Sequence, residues 1–281
     1  MILFKHPDLL SHYLDTTRKR PLNIGFVPTM GALHPGHLSL LERSKNEVGL
    51  TVCSIFVNPT QFNDRKDYEK YPVNIEEDID KIESVGTDIL FFPDATSLYS
   101  QGTKDLEQYP LGYFETVLEG KFRPGHFQGV CQVMNRLLKI VKPQKLFMGQ
   151  KDYQQSLVIQ QLINTMKADT ELIVCPTLRE PGGLAMSSRN VRLSETERRN
   201  AGSIYETLQY IKKYLVAGEL NTLKEQASSL LIQNNFSVDY LEIADANTLE
   251  LVNVWDGRQK LVALAAVFIR DVRLIDNLLL N

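Results

Sequence analysis

Cysteine is scarce in this sequence, and its three residues are widely separated. Cys53, Cys131 and Cys175 each lie in an apolar run, and no two of them have the C-x-x-C spacing of a metal site or a redox pair. This distribution favours buried, reduced thiols, which are typical of cytoplasmic proteins.

Positive charge is not in excess, and no apolar run is long. The 31 basic and 34 acidic residues give a formal net charge of -3, which offers no overall attraction for nucleic acid or an anionic membrane. The longest apolar stretch, LVALAAVFI at residues 261–269, is far shorter than the roughly 20 residues that span a bilayer. The first residues, MILFKHPDLL, lack the extended apolar region of a signal peptide. We therefore expect a cytoplasmic protein with a small-molecule substrate and no nucleic-acid or membrane partner.

Two common phosphate-binding signatures are also missing. The chain contains neither G-x-x-x-x-G-K-[ST] nor G-x-G-x-x-G, so P-loop and dinucleotide-binding interpretations are weak. Any phosphate contact must come from other groups.

Short apolar runs alternate with amphipathic segments over the first two-thirds of the chain, which is the pattern of a parallel sheet with helical crossovers. Strands are predicted at residues 23–28, 50–58, 88–93, 145–149 and 171–176. Helices are predicted at residues 37–48, 75–86, 130–142 and 154–168. We predict a Rossmann-like, doubly wound α/β domain over residues 1–177.

The pattern changes after Pro176. A capping box at Ser194 and Glu197 opens a predicted long helix that ends at Gly218. A helix at residues 222–233 and strands at 237–245 and 261–269 follow. We predict a smaller α+β domain over residues 178–281, closely packed on the first with a cleft between the two.

The stretch PTMGALHPGH follows the first predicted strand. Ligands of open parallel sheets bind at the carboxyl ends of the strands, and His34 and His37 would share one face where the next helix begins. A helix N-terminus offers backbone N–H groups and the positive end of the helix dipole. Two imidazoles there can bind phosphate oxygens and stabilise the charge that develops when a phosphoryl centre is attacked.

Two other interpretations of this histidine pair stay open. H-x-x-H could be half of a zinc site, but the other histidines are only His6, His12 and His126, and no cysteine pair is present. The stretch taken alone would also fit two unrelated surface histidines.

Two more predicted strands end in polar residues. VNPTQF places the amides of Asn58 and Gln61 beyond a strand, where they could fix hydroxyls and a carboxylate, although an ordinary Asn-Pro turn is the alternative. In MGQKDYQQ, Gly149 allows close approach, Lys151 supplies a compact charge for phosphate, and Asp152 can hold a ribose hydroxyl or orient the lysine.

Two basic segments complete the set. RPGHFQGV places Arg123 and His126 before a helix, either as an anion contact or as structural residues. GLAMSSRN places Ser187, Ser188 and Arg189 in succession, and such a loop can close over a triphosphate and neutralise a departing pyrophosphate. Taken alone, it would be a polar turn.

These motifs together resemble a known family. HPGH and MSSRN stand where the nucleotidyltransferase superfamily carries its HIGH and KMSKS signatures. In this order, PTMGALHPGH, VNPTQF, RPGHFQGV, GQKDYQQ and GLAMSSRN are similar to the pantoate–β-alanine ligase (pantothenate synthetase) family, and the likeness extends to the closing RLIDN. Five ordered motifs over essentially the whole chain make coincidence remote.

The resemblance implies a homodimeric cytoplasmic ligase of coenzyme A biosynthesis, whose smaller domain closes over ATP. Pantoate would attack the α-phosphate of Mg-ATP to give pantoyl adenylate and pyrophosphate, and β-alanine would then displace AMP to form pantothenate. The implied ATP site comprises Met30, Gly31, Ala32, Leu33, His34, Pro35, Gly36, His37, Gly149, Gln150, Lys151, Asp152, Leu178, Met186, Ser187, Ser188 and Arg189. The candidate catalytic residues are His34, His37, Lys151, Ser187, Ser188 and Arg189, with His37 as the usual proton donor. The candidate contacts to pantoate or β-alanine are Gln61, Gln155, Met30, Asn58 and Arg123.

Two positions depart from the family pattern. Met148 stands where an aromatic residue commonly precedes the glycine, and Gly183 stands where an acidic residue is common. They bear on adenine packing and on movement of the closing loop. The motifs do not identify a protein ligand for Mg²⁺; Asp78 and Asp152 are conceivable, but phosphates and water commonly supply most ligands to this ion.

Three other functions fit the motifs less well. Another adenylyl- or cytidylyltransferase would need extra cations for a phosphorylated acceptor, whereas Gln61 and Gln155 are neutral. A class I aminoacyl-tRNA synthetase would need a basic anticodon-binding region, which this acidic chain does not contain. A catalytically inactive nucleotide-binding module would share the fold, but every assigned catalytic position is occupied.

Overall fold

A computed structural model describes residues 1–18, 22–63 and 65–281 of the chain, with residues 65 and 66 described by their backbone alone. The chain divides into two compact units. The first comprises Met1–Gly149 and Gln155–Pro176, and the second comprises Gln150–Gln154 and Thr177–Asn281.

The first unit is built on a six-stranded sheet in which every neighbouring pair of strands is parallel. Its strands are β1 (Ile2–Phe4), β2 (Ile24–Thr29), β3 (Leu50–Ile55), β4 (Ile89–Phe91), β5 (Lys145–Gly149) and β6 (Glu171–Cys175), in the order β1-β4-β3-β2-β5-β6. Its helices are α1 (Pro7–Thr17), α2 (Pro35–Glu47), α3 (Arg65–Glu69), α4 (Ile75–Ser84), α5 (Ala95–Leu98), α6 (Leu118–Phe122), α7 (His126–Val141) and α8 (Tyr153–Met166). The first two residues of α8 belong to the second unit.

Each face of this sheet has its own apolar core, because successive strand residues point to opposite sides. Phe26 and Val52 pack with residues of α1, α7 and α8 on one face. The next residues along the same strands, Val27 and Cys53, pack with residues of α2 and α4 on the other. Burial on both faces explains why the inner strands β2, β3, β4 and β5 are continuous apolar runs in the sequence. The predicted doubly wound α/β fold is confirmed.

The strand order reverses at β2. From β2 the chain proceeds to β3 and β4 on one side, and later returns to β5 and β6 on the other. In open α/β sheets ligands bind beyond the carboxyl ends of the strands at such a reversal. The loop after β2 and Gly149, the last residue of β5, both lie at this position.

The second unit contains a three-stranded antiparallel sheet in the order β11-β10-β8 and a small strand pair, β7-β9. Its strands are β7 (Gly218–Glu219), β8 (Ser237–Asp245), β9 (Val254–Trp255), β10 (Leu261–Ile269) and β11 (Val272–Leu279), and its helices are α9 (Glu195–Asn200), α10 (Ser203–Tyr214) and α11 (Asn221–Gln233). Two short 3-10 helices span Gln150–Asp152 and Ser188–Arg192. Apolar residues of α10 and α11, among them Leu208 and Leu231, form a core with Ala263 and Ala265 of β10. The predicted α+β character of this region is confirmed.

The single long helix predicted over residues 194–218 is wrong. Two helices occupy this stretch, and α9 ends at Asn200 before α10 begins at Ser203. Gly202, between them, lies so close to another backbone segment that a β-carbon would be 2.0 Å from the carbonyl oxygen of Gly182. This close backbone approach coincides with the interruption.

Strand boundaries also differ from the prediction. β3 ends at Ile55 instead of continuing to Asn58, because Asn58 caps a 3-10 helix at Pro59–Gln61. β1 was not predicted, since three residues are too few to display a period of two.

No helix in the described ranges is long and apolar enough to cross a membrane. All three cysteines are buried and form no disulfide. Burial raises the pKa of the Cys53 and Cys131 thiols to about 12, so these two cysteines are poor nucleophiles at neutral pH.

Gly25 of β2 offers a test of how tightly α2 packs on the sheet. A β-carbon at Gly25 would lie 2.3 Å from Oγ of Ser44 and 2.8 Å from Cγ2 of Val48. We expect Gly25→Ala to lower the free energy of unfolding by about 1–3 kcal/mol through overpacking, measured by urea denaturation. Gly182→Ala is the control, because a β-carbon there meets no atom within 4 Å; equal stability of the two variants would contradict the packing argument.

Candidate active site

The loop between β2 and α2 is held by a carboxylate from α4. Gly31 and Ala32 have φ values of +83° and +49°, and the left-handed region costs a non-glycine residue roughly 1–2 kcal/mol. Asp78, which is 1% exposed, accepts hydrogen bonds from the N–H groups of Ala32 at 2.8 Å and Leu33 at 2.6 Å. One turn later, the Lys81 ammonium donates to the Leu33 carbonyl at 2.7 Å. The backbone that enters α2 is therefore fixed by α4.

The structure brings the two predicted histidines together at the start of α2. His34 is the N-cap residue, and Pro35 occupies the first helical position, where the missing proline N–H has no intrahelical partner to lose. The ring centroids of His34 and His37 are 4.0 Å apart. Nδ1 of His37 accepts a hydrogen bond from the His34 N–H at 3.4 Å, so a neutral His37 ring carries its proton on Nε2.

Asn58 is 1% exposed, and its amide bonds to other parts of the protein. Nδ2 donates to Oε1 of Gln61 at 3.1 Å and to the Gly129 carbonyl at 3.0 Å, and Oδ1 accepts from the Tyr99 hydroxyl at 2.7 Å. The geometry therefore gives Asn58 the role of holding Gln61 in place.

Gln61 connects the loops that follow β2 and β3. Its side chain lies in the Pro59–Gln61 helix and is mostly buried. Nε2 donates to Sδ of Met30, the first residue after β2, at 3.0 Å. Two of the candidate pantoate contacts are thus neighbours.

The buried imidazole of His126 links Gln61 to Arg123. Its Nδ1 is 2.8 Å from the Gln61 carbonyl oxygen, which can only accept, so Nδ1 carries a proton. Its Nε2 is 3.1 Å from Nη1 of Arg123, which can only donate, so Nε2 accepts. These contacts fix His126 as a neutral ring with one tautomer, and they hold the guanidinium of Arg123 near Gln61.

Gly129 permits α7 to reach the Pro59–Gln61 helix. A β-carbon at Gly129 would lie 2.2 Å from the Thr60 carbonyl oxygen and 2.6 Å from Cα of Gln61. A larger residue would therefore displace Gln61 from its contacts.

In the second unit, Gln150–Asp152 is attached to β11. Nδ2 of Asn277 donates to the carbonyl oxygens of Gln150 at 2.9 Å and Lys151 at 2.8 Å. Nε2 of Gln150 donates to Oδ1 of Asn277 at 3.2 Å. The Lys151 ammonium lies 3.6 Å from the Asp152 carboxylate, so this predicted pair is brought together.

The residues before the Ser-Ser-Arg motif form a narrow hairpin. Arg179 bridges to Ala185, and the Met186 N–H donates to the Leu178 carbonyl at 3.0 Å. Gly183 has a φ of +89°, which glycine adopts more readily than the acidic residue that is common at this position in the family.

The Ser-Ser-Arg motif begins a 3-10 helix at the end of this hairpin. Ser187 caps the helix and accepts a hydrogen bond from the Arg189 N–H at 3.2 Å, while Ser188 is mostly buried. Asn190 is 3% exposed and donates to the Ala185 carbonyl at 3.1 Å. Asn190, the residue after Arg189, therefore anchors the Ser-Ser-Arg motif to the hairpin.

Gln155 lies half-buried in the first turn of α8. No hydrogen bond among the described residues joins Gln155 to Gln61, so its place beside pantoate stays a prediction. Sequence reasoning missed the structural importance of Asp78, Tyr99 and Gly129. A signal for Asp78 was present, because it lies four residues before the buried Ile82 on the apolar face of α4.

The described residues do not provide a ready magnesium site. Both carboxylate oxygens of Asp78 accept backbone N–H groups, so Asp78 is not suited to coordinate the ion. Asp152 lies beside the Lys151 ammonium, and no group of three His, Cys, Asp or Glu side chains with metal-binding proximity is found in the described ranges.

Comparison with known proteins places the chain in a family. A family model described as pantoate-beta-alanine ligase matches residues 2–279. The chain belongs to the pantoate–β-alanine ligase family. The resemblance inferred from the five motifs is thereby confirmed.

Relatives of the family match over nearly the whole chain. The pantothenate synthetase of Bacteroides fragilis is 42% identical over 266 residues, 94% of each chain, and that of Thermodesulfovibrio yellowstonii is 42% identical over 284 residues, 100% of each. The solved pantothenate synthetase of Thermus thermophilus has a TM-score of 0.90 and 37% identity, covering 99% of both chains. The pantoate–β-alanine ligase of Francisella tularensis, solved in complex with beta-gamma ATP and β-alanine, has a TM-score of 0.83 and 38% identity, covering 99% of this chain and 97% of that one.

Asp78→Asn tests the carboxylate contact to the loop before α2. The amide presents an NH₂ group to one of the two backbone N–H donors, so at least one charge-assisted hydrogen bond is lost. We expect the free energy of unfolding to fall by about 1.5–3 kcal/mol, measured by chemical denaturation.

The adjacent Glu77→Gln is the matched control. Glu77 forms an exposed ion pair with Lys81, and loss of such a pair changes stability by about 0.5 kcal/mol or less. If Asp78→Asn were no more destabilising than Glu77→Gln, the loop would not depend on Asp78.

Proposed function

We propose that the chain joins pantoate to β-alanine at the expense of ATP, through a pantoyl adenylate. The observation that carries this proposal is the family match over residues 2–279. The local settings of His34, His37 and Gln61 in the first unit, and of Lys151 in the second, support it. Each side chain lies in a hydrogen-bonded segment of its own unit and has chemistry suited to a phosphate or a hydroxy acid.

In the first half-reaction, a pantoate carboxylate oxygen bonds to the α-phosphorus of ATP. The bond from that phosphorus to the oxygen that bridges the α- and β-phosphates breaks. The products are pantoyl adenylate and pyrophosphate. The carboxylate is itself the nucleophile, so no enzyme nucleophile is required, and catalysis rests on positioning and charge stabilisation. His34, His37 and Lys151 stabilise the negative charge on the phosphate oxygens. A neutral His37 protonated on Nε2 is suited to donate a hydrogen bond there.

Gln61 and Gln155 bind pantoate, and Met30 lies beside its apolar gem-dimethyl centre. The contact from Asn58 and the sulfur of Met30 orient the Gln61 amide, which can then accept or donate at the hydroxyls and carboxylate. Arg123 supplies a cation for a substrate carboxylate, and the neutral His126 ring adds no competing charge.

In the second half-reaction, the β-alanine amine attacks the carbonyl carbon of the mixed anhydride. The new carbon–nitrogen bond forms as the carbonyl–oxygen bond to AMP breaks, and the amine loses a proton. The anhydride is reactive enough for an amine, so the protein contributes mainly orientation.

ATP binds through residues 30–37, residues 149–152, Leu178, and Met186 to Arg189. Lys151, Ser187, Ser188 and Arg189 supply charge and hydrogen bonds to the departing pyrophosphate. ATP enters as its magnesium complex, which reduces the charge of the phosphates. The family resemblance also supports a homodimer in the cytoplasm, which light scattering of the purified protein and cell fractionation would test.

Pyrophosphate release from ATP tests the function. With pantoate, we expect release in the absence of β-alanine, and formation of AMP and pantothenate only once β-alanine is added. Pantetheine phosphate is the control acceptor; release with this compound in place of pantoate would assign the chain to another nucleotidyltransferase reaction.

Substitutions test the residue roles. We expect His34→Ala, His37→Ala and Lys151→Ala each to slow pantoate-dependent pyrophosphate release by about a hundredfold, as for loss of a single donor to a developing negative charge. His12→Ala and Lys139→Ala are matched controls, since both residues are exposed on helices of the first unit. Near-normal release in all three site variants would refute the assignment.

A further inference from the structure

The C-terminal strand carries two buried polar residues for which the reaction above has no use. Asp276 is 4% exposed and Asn277 is 2% exposed, side by side in β11. Burial of polar groups is costly unless they are hydrogen-bonded. Neighbouring strand residues point to opposite faces of a sheet, and each of these two has a different set of partners.

Asn277 holds the two peptide groups that flank Cα of Lys151. The Gln150 carbonyl belongs to the peptide before this Cα and the Lys151 carbonyl to the peptide after it, and Nδ2 of Asn277 donates to both. The Gln150 amide bonds to the remaining oxygen of the Asn277 side chain. The direction in which the Lys151 side chain leaves the backbone is therefore set by Asn277.

Asp276 performs the corresponding task for the hairpin at residues 178–186. Its two oxygens accept from Nη1 and Nη2 of Arg179 at 2.6 and 3.0 Å. The same guanidinium stacks on the Tyr205 ring at 3.6 Å and donates to the Gly183 carbonyl at 3.1 Å. Burial raises the pKa of Asp276, and the Arg179 guanidinium acts in the opposite direction.

One further bond couples the two residues, because the Asn277 N–H donates to Oδ1 of Asp276 at 2.8 Å. The chain of contacts thus runs from the backbone of Lys151 through Asn277 and Asp276 to Arg179 and the hairpin. The hairpin leads directly into Ser187.

We propose that Asn277 and Asp276 are positioning residues that align the Lys151 segment and the Ser-Ser-Arg segment on the phosphates of ATP. This inference rests on the proposed function, in which both segments bind those phosphates. It assigns a purpose to the closing RLIDN motif: the strand acts through Lys151 and the hairpin and touches no substrate.

Asn277→Ala tests the link to Lys151. We expect pyrophosphate release at saturating substrates to fall about tenfold or more, as for loss of an outer partner that orients a ligand-binding group, while the KM for pantoate changes less than about twofold because Gln61 lies in the first unit. In a Lys151→Ala background the same change should have an effect of less than about twofold, since residues that act through one another are not additive.

Asn281→Ala is the matched control. Asn281 is also an asparagine at the C-terminus whose side chain bonds to backbone, with Oδ1 accepting from Leu261 at 2.7 Å and Nδ2 donating to Gln259 at 3.0 Å. We expect its rate to stay within about twofold of wild type. If Asn277→Ala does not fold, the isosteric Asn277→Asp is used as the test variant, because it removes the same two N–H donors.

Binding of a non-hydrolysable ATP analogue, measured by calorimetry, gives a readout that needs no turnover. The inference is supported if Asn277→Ala binds the analogue more weakly than wild type does and if the same change does not weaken binding further in the Lys151→Ala background. Two results would overturn the inference. One is a double variant in which the losses of rate or affinity caused by the two single changes multiply. The other is a folded Asn277 variant with normal rate and normal binding. A wild-type protein without pantoate-dependent release would overturn the proposed function instead, and the calorimetric comparison would still decide the inference.

Discussion

The buried carboxylate of Asp78 accepts hydrogen bonds from two backbone N–H groups of the loop between β2 and α2. The positions of His34 and His37 at the start of α2 depend on this contact. An ionised group in the interior is tolerated only when its oxygens are hydrogen-bonded. Here the two N–H groups come from successive residues, Ala32 and Leu33, one of them in the left-handed region. Because α4 supplies the acceptor, the start of α2 and its two imidazoles are fixed by a second helix as well as by the strand that precedes them.

Buried amides play the same part elsewhere. Asn58 and Asn277 each donate through both hydrogens of Nδ2 and accept at Oδ1 from the amide or hydroxyl of another side chain. Asn277 satisfies two carbonyl oxygens of the short Gln150–Asp152 helix, whereas Asn58 orients the Gln61 side chain and donates to the Gly129 carbonyl of α7. Both amides thereby meet the requirement that buried polar groups be hydrogen-bonded. Irregular loops can thus be as fixed as the sheet.

The sequence predicted the parallel sheet well because strands buried on both faces are continuous apolar runs, as at β5, whose bounds were predicted correctly. It failed where a distant contact decides the outcome. The break between α9 and α10 coincides with the close passage of Gly202 and Gly182, which no local pattern reveals. The histidines and the Lys-Asp pair were proposed as site residues from their position after strands. The residues that hold them were missed. The apolar face of α4 marks Asp78 as buried, but no local pattern shows which distant groups Asp78 or Asn277 will bond to.

The second unit is discontinuous in the sequence, with residues 150–154 separated from the rest by most of α8 and all of β6. During synthesis these five residues emerge long before Asn277, the partner of Gln150 and Lys151 in β11, is added to the chain. Domains tend to fold from the N-terminus as they appear, but this segment must wait for the last strand. A nascent or prematurely terminated chain can therefore complete the parallel sheet while Gln150 and Lys151 still lack their contacts to Asn277, which form only when synthesis is almost finished.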